Sequence, residues 1–253
     1  MKVKNLFISL IGFACVSEAY AASQHITNNI NYKNLYVSGE TGISIPSFSK
    51  YDSNNEEYYK GAKPKVGIPF GAEVGYRFSN DLRVGLNISY RSHKINQDVE
   101  FDSKDKEGKD SKDKANVNQK FSSTLFMLNG KYSICDFYGV KPYVMAGIGM
   151  NYAVNGAYTK NSTANDGNIV SDKYAGQNKM KFAWNIGVGI EKELGNNFVL
   201  GLGYRFINPG KRETSGEKTV LGAAGLIQKY DNVTPISASL KAHEITLGIT
   251  YNF

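Results

Sequence analysis

Apolar residues recur at every second position along much of this chain. In the final run, HEITLGITYNF, apolar side chains alternate with polar residues and glycine from Ile245 to Phe253. This alternation is typical of a β-strand whose two faces meet different surroundings. Seven earlier runs show the same period: LYVSGETGISI, VGIPFGAEVGYRF, LRVGLNISYR, STLFMLNGKYSI, KPYVMAGIGMNY, MKFAWNIGVGIEKEL and FVLGLGYRF. The pattern predicts eight strands.

The connections between these runs alternate between a few residues and long polar segments. A strand that crosses a bilayer at a tilt needs about 9–11 residues, and outer-membrane barrels combine short turns at one end with long loops at the other. We therefore expect an all-β fold, a closed eight-stranded antiparallel up-and-down transmembrane β-barrel over 35–253. It would have short periplasmic turns and four long extracellular loops. The fourth run is apolar on both faces in its first half, which leaves its register open there.

A soluble β-sandwich also has alternating strands. Its exposed face would carry many charges, whereas the non-apolar face here is mostly Gly, Ser and Asn with isolated charges. Such a face suits a narrow, enclosed interior. In hydrocarbon every backbone N–H and C=O must be paired within the protein, so the last strand would have to meet the first. The pattern favours the barrel.

The beginning of the chain predicts export. MKVKNLFISLIGFACVSEAYA has a basic start, an apolar stretch from Leu6 to Val16 and a small-x-small triplet, which is the pattern of a cleaved signal peptide. The stretch is shorter than the roughly 20 residues that span a bilayer, which argues against an anchor. We expect a signal peptide over 1–21 and a short periplasmic segment over 22–34. Cys15 as a lipid-attachment site is the other, disfavoured interpretation.

Composition narrows the possible functions. The net charge of +7 falls by one when 1–21 is removed, and this mild excess does not indicate a nucleic-acid partner. Only Cys135 then remains, so we expect no internal disulfide. The three histidines, His25, His93 and His243, are too far apart to match a metal-ligand motif, and no cofactor motif is present.

Catalysis is an alternative with a specific basis. Eight-stranded outer-membrane lipid-modifying hydrolases use Ser–His–acid chemistry, and here Ser237, Ser239, His243 and Glu244 lie close in sequence. Neighbours on a strand point to opposite faces, so His243 and Glu244 would not face each other. A serine nucleophile needs its base within hydrogen-bond reach, and we therefore predict that the protein is not an enzyme.

Charged residues on the non-apolar faces are predicted to point into the barrel. They are Glu40, Glu73, Arg77, Arg83, Arg91, Lys131, Glu191, Arg205 and Glu244. Unpaired charges are costly in a low-dielectric interior, so we expect ion pairs between them. The pairs could gate a narrow pore or form a polar plug, and we favour the plug.

The long connections differ in composition. The tract 93–118 contains SKDKEGKDSKDK, and we expect it to be a solvated flexible loop because it has little apolar surface to bury. The next, 154–177, is rich in Asn, Ser, Thr and Gly with little to anchor it. The last carries an apolar patch predicted either to cap the barrel mouth as a short helix or hairpin or to contact lipid or a partner. The patch consists of Val220, Leu221, Leu226 and Ile227.

Several strands resemble a known family. LYVSGETGISIPSF, KPYVMAGIGMNY and KFAWNIGVGIEKELGNNFVLGLGYRF are similar to strands of small eight-stranded outer-membrane barrels of the opacity-protein and OmpA-transmembrane-domain type. Among these, the surface antigens of obligate intracellular alphaproteobacteria are the most similar. The resemblance implies a location in the cell outer membrane, with loops on the cell surface. Thr246, Gly248, Tyr251 and Phe253 match the C-terminal signal that barrel-assembly machinery reads in such proteins.

The resemblance implies a surface antigen or adhesin whose loops contact the host or environment and whose barrel supports envelope integrity. Outer-membrane lipid, lipopolysaccharide and a host-cell receptor are the partners to expect. A narrow small-solute pore is the alternative.

Overall fold

The computed structural model describes residues 32–51, 65–104, 110–163, 169–195, 197–222, 227–235 and 237–253, so the predicted signal peptide lies outside it. A short 3-10 helix, Tyr32–Asn34, precedes the first strand. The strands are β1 (Leu35–Tyr51), β2 (Phe70–Arg77), β3 (Leu82–Lys104), β4 (Asp110–Ser133), β5 (Val140–Asn155), β6 (Tyr158–Thr163), β7 (Ile169–Tyr174), β8 (Asn178–Glu193), β9 (Phe198–Asn208), β10 (Lys211–Glu213), β11 (Lys218–Leu221), β12 (Ile227–Tyr230) and β13 (Ser237–Asn252). No helix in the described ranges is long and apolar enough to cross a membrane.

Eight of these strands close into one antiparallel barrel. The ring runs β4–β3–β2–β1–β13–β9–β8–β5 and returns to β4. The seam joins the first and last strands, beginning with Tyr36 opposite Asn252. Each of the eight strands thus has a partner on both sides, as backbone in hydrocarbon requires. The predicted eight-stranded fold is confirmed.

The two faces of the wall differ as the alternation predicts. Apolar side chains on the outward face are exposed; examples are Leu86, Ile186 and Ile249. Polar side chains on the inward face are buried; examples are Asn87, Asn129 and Asn185. In the strand whose register the sequence left open, Leu125 and Met127 point inward and pack with Ala183 and Ile207.

Inward glycines make room for two buried tyrosines. A Cβ on Gly75 or Gly85 would lie 2.4 or 2.5 Å from atoms of the Tyr36 ring and hydroxyl. A Cβ on Gly189 or Gly203 would lie 2.5 Å from the Tyr143 hydroxyl. The small residues of the inner face are therefore the complement of large rings on neighbouring strands.

One end of the barrel, here called the turn end, carries both ends of the barrel domain and three short connections between strands. The connections are 78–81, 134–139 and 194–197. In the second, Tyr138 and Gly139 have φ of 53° and 78°, and the Gly139 N–H donates to Asp136 Oδ1 at 2.9 Å. Cys135 is exposed there.

The second predicted strand was too long. β2 begins at Phe70; among the described residues before it, Gly67 makes an isolated bridge with Ser44, and the Lys65 N–H donates to the Lys94 carbonyl at 2.8 Å. Pro69 has no N–H to donate to a ladder, which breaks regular pairing before β2. Its carbonyl instead accepts from Thr41 Oγ1 at 3.0 Å.

The opposite, loop end is more ordered than the sequence predicts. The flexible-loop prediction for 93–118 is wrong in the described part, because β3 and β4 stay paired up to Lys104 opposite Asp110. The barrel parts of β3 and β4 supply the template for this ladder, which continues from them without a shift in register.

The prediction that little anchors 154–177 is also wrong. β4 pairs with β5 up to Phe121, and from Asn118 outward it pairs with β6 instead. β6 pairs with β7, where the buried rings of Tyr158 and Tyr174 meet edge to face at 6.0 Å between centroids. β7 also pairs with β11, and β11 pairs with β12. We call this sheet, from the outer halves of β3 and β4 through β12, the platform.

Candidate functional site

Four charged side chains near the turn end form one group inside the barrel, here called the turn-side cluster. Arg83 pairs with Glu191, and Lys131 Nζ lies 3.8 Å from Glu191 and 4.0 Å from Glu73. Glu73 also accepts from the Tyr36 hydroxyl and from Asn129 Nδ2, each at 2.8 Å. Two cations and two carboxylates therefore balance within one hydrogen-bonded group.

A second group, the loop-side cluster, lies further toward the loop end. Arg205 Nη1 is 2.7 Å from Glu40, and its Nε is 2.9 Å from Glu244. Arg91 Nε is 3.1 Å from the other oxygen of Glu244. Again two cations face two carboxylates. Ser44 and His93 extend the group, with His93 Nε2 3.1 Å from Ser44 Oγ.

The two clusters are close to each other inside the barrel. A void of about 20 Å³ lies between members of both, lined by Glu40, Glu73, Lys131 and Arg205 among others. That is room for about one water molecule. Buried ion pairs hold their geometry because separating them leaves uncompensated charge, so the arrangement is suited to a plug.

Eight of the nine charged residues expected inside the barrel thus fall in these two clusters. Arg77 does not. It faces the lumen near the turn end, where its Nη2 donates to the Lys33 carbonyl at 2.7 Å. No carboxylate of the described chain pairs with it.

The segment after β9 partly covers the loop-end mouth. Asn151 and Asn155 of β5 reach across the lumen and donate to the carbonyls of Pro209 and Glu213, each at 2.8 Å. Glu213 lies 2.9 Å from Lys179 Nζ and 3.8 Å from Lys181 Nζ. The hydrogen bond from Lys179 is the main cause that lowers the pKa of Glu213.

The apolar patch of the last loop lies on a hairpin, β11–β12. Leu221 and Ile227 are directly opposite each other and are 44% and 64% exposed, and Val220 is half-buried. Leu226 lies outside the described residues. Within the platform the hairpin pairs with β7, whereas the hydrogen bonds from Asn151 and Asn155 go to the segment before the hairpin, 209–213.

The terminal residues match their expected places in the wall. Tyr251 packs edge to face on Phe198 and Phe253, with ring centroids 5.2 and 5.1 Å apart, and Phe253 is half exposed. The N–H of Phe253 donates to the Leu35 carbonyl at 3.1 Å. Gly248 lies opposite Glu40. Phe198, Tyr251 and Phe253 together form an outward aromatic group at the turn end.

Two of the candidate catalytic residues, His243 and Glu244, lie on opposite faces of the wall. Glu244 points inward and is fully buried, whereas His243 points outward, where its Nδ1 is 2.7 Å from the Tyr204 hydroxyl. Ser237 and Ser239 lie on β13 opposite β10. The adjacent pair is thus on opposite faces, as the alternation predicts.

Sequence reasoning missed the neutral residues that link the charges. Asn185 donates to Asn129 at 3.1 Å, which in turn donates to Glu73, while Tyr36 reaches the same carboxylate. The alternation places these side chains inside. Which of them touch depends on the registers of strands that are far apart in sequence.

A closed antiparallel barrel with an apolar outer face and a charge-filled lumen defines a transmembrane β-barrel. The chain belongs to the outer membrane protein beta-barrel domain family, whose family model matches residues 6–253. It is therefore an outer-membrane barrel protein.

Proteins of similar length are related to this chain in sequence. The outer membrane protein PagN of Salmonella typhimurium is 26% identical over 237 residues, which cover 87% of this chain and 90% of that protein. An uncharacterized protein of Brucella melitensis is 26% identical over 240 residues, covering 86% and 84%. The outer membrane protease OmpT of Escherichia coli superposes with a TM-score of 0.52 at 9% identity, covering 90% and 99%, and this likeness concerns the fold alone.

Proposed function

We propose that this protein is a surface protein of the outer membrane, with a sealed barrel that carries the platform outward to contact a host cell or another partner. The observation that supports this most is the platform itself. Long connections have folded into a sheet continuous with the barrel wall, instead of solvated loops. Its last hairpin exposes Leu221 and Ile227, which suits an antigen-like or adhesin-like contact surface.

The ion pairs in the lumen favour a contact function over the conduction of solutes. Solute passage would require separation of the ion pairs in both clusters, and each cluster is balanced within itself. The barrel would then contribute to envelope integrity as a closed wall. A small-solute pore is the competing function.

Outer-membrane lipid is a further proposed partner. Lys94 and Lys120 are directly opposite each other and exposed on the outward face, and the exposed ring of Tyr90 lies on the same face four residues before Lys94. Like charges placed opposite each other repel, and an anionic headgroup such as that of lipopolysaccharide would relieve the repulsion.

Two measurements test the proposal. Planar-bilayer recording of refolded protein should show no regular channel steps, and reproducible steps of one size would instead support the pore. Gram-negative cells that display the protein should bind cultured host cells, and L221S/I227S should reduce this binding to the level of cells without the protein.

The matched control is Q228S/K229S, which changes two exposed polar residues of the same hairpin. It should retain binding. Equal binding by wild type and L221S/I227S, at equal amounts in the outer membrane, would contradict a role for this surface.

A further inference from the structure

A polar pocket of about 100 Å³ opens at the turn end of the barrel. The side chains that matter for its chemistry are Arg77, Arg83, Lys141, Glu191, Glu193 and Asn252. Its inner wall includes the Arg83–Glu191 pair of the turn-side cluster. A ligand would therefore enter and leave the pocket from the turn end.

Three cations occupy one row across neighbouring strands at this end. Arg77 of β2 lies opposite Arg83 of β3, and Arg83 lies opposite Lys131 of β4. Like charges directly opposite destabilise a sheet. The carboxylates Glu191 and Glu73 compensate Arg83 and Lys131.

Arg77 has no such compensation. Its described hydrogen bond goes to a neutral carbonyl, that of Lys33, and its Nε is buried with no hydrogen-bond partner. Lys141, which also lines the pocket, forms an ion pair with Glu193, with 2.7 Å between Nζ and Oε1. One guanidinium therefore faces the pocket with unused donor capacity.

A buried acceptor completes the site. Asn252 lines the pocket, and its Oδ1 is buried without a hydrogen-bond partner. A ligand that accepts from the guanidinium and donates to the amide oxygen would satisfy both groups. Hydrogen phosphate has both functions, whereas a simple carboxylate only accepts.

We propose that this pocket binds a small oxyanion, best matched by a phosphate group, with Arg77 as its main contact. The planar guanidinium fits oxyanions because its donors point in parallel. One water needs about 10–15 Å³ of cavity, so 100 Å³ has room for several waters or for one such group. The ligand is either free phosphate or the phosphate group of a larger molecule at the turn end.

The test uses the full-length mature protein refolded in detergent. Thermal unfolding is followed at constant ionic strength while chloride is replaced by inorganic phosphate, by acetate or by glycerol phosphate. Phosphate should raise the Tm saturably, and acetate should raise it less. An effect of glycerol phosphate equal to that of phosphate indicates that the site accepts an esterified group; a smaller effect indicates free phosphate.

The variant R77Q should lose the phosphate-dependent rise in Tm. The control K192Q also removes one positive charge near the turn end, from an exposed position outside the pocket wall, and should keep the rise. An equal rise in all three proteins would reveal a general salt effect and overturn the proposal. If R77Q does not refold, calorimetric titration of wild type decides: no saturable heat of phosphate binding means no site.

Discussion

Glu244 shows how single residues hold the barrel interior. It is fully buried and lies between Arg91 and Arg205. A carboxylate in such a place is stable because both neighbours are buried cations that it helps to compensate. Its contribution therefore depends on the cluster as a whole.

Replacement of Glu244 by Gln should lower the free energy of unfolding by about 3–5 kcal/mol, since the change removes the carboxylate paired with buried Arg91 and one of the two paired with buried Arg205. Denaturant unfolding of refolded protein measures the effect. The comparison is Glu193→Gln, where the side chain is 55% exposed in its pair with Lys141 and the cost should stay below about 1 kcal/mol. Similar losses at both positions would refute the assigned role of burial.

Glu213 should make the loop end sensitive to acid. Its lysine partners lower its pKa in the folded protein, so the unfolded chain binds the proton more readily. The stabilisation is therefore complete above the ordinary carboxylate pKa of about 4.3 and disappears as the pH falls through the lowered value. At pH 6 the Tm of the wild type should be higher than that of Glu213→Gln, and the difference between the two Tm values should shrink on acidification below about pH 4.

At the scale of the element, β13 serves two purposes. It closes the barrel against β1, and it presents Tyr251 and Phe253 on the outside at the turn end. The backbone contribution of the last residue is small, one hydrogen bond from Phe253 to Leu35. We therefore expect the aromatic side chain of Phe253, rather than its backbone, to be what assembly machinery recognises.

Deletion of Phe253 should reduce the amount of protein in the outer membrane severalfold while refolding in detergent stays close to wild type. Fractionated membranes and heat-shifted gel mobility measure the two quantities. Phe137→Ala removes another exposed aromatic ring at the same end and is expected to leave assembly unaltered. Normal membrane levels of the truncated protein would rule out the terminal signal.

At the scale of the whole molecule, the asymmetry of the barrel defines its direction in the membrane. The turn end gathers the short connections, and the loop end carries the platform. In an outer-membrane barrel the short turns face the periplasm. We therefore expect Cys135 and β12 to lie on opposite sides of the membrane.

Intact cells treated with a membrane-impermeant maleimide should label Gln228→Cys in β12, in a Cys135→Ser background. Native Cys135 is exposed at the turn end and should react only after the outer membrane is permeabilised. Labelling of Cys135 in sealed cells would reverse the orientation.

The sequence by itself determined the strands of the wall, their number and their faces, because a membrane-spanning strand must alternate between lipid and lumen. It also placed the charges inside. Two-residue periodicity carries this information locally, without reference to other strands. Even the separation of His243 from Glu244 follows from it.

Only the tertiary structure decided which residues meet. Tyr36 fits against Gly75 and Gly85, and Arg205 meets Glu40, because registers bring together positions far apart in the chain. Tertiary structure also ordered the polar connections: their composition offers little to bury, but the barrel strands extend their backbone ladders into them and partner strands complete the platform. A local pattern reports the environment of a residue, whereas pairing depends on the closed geometry of the whole barrel.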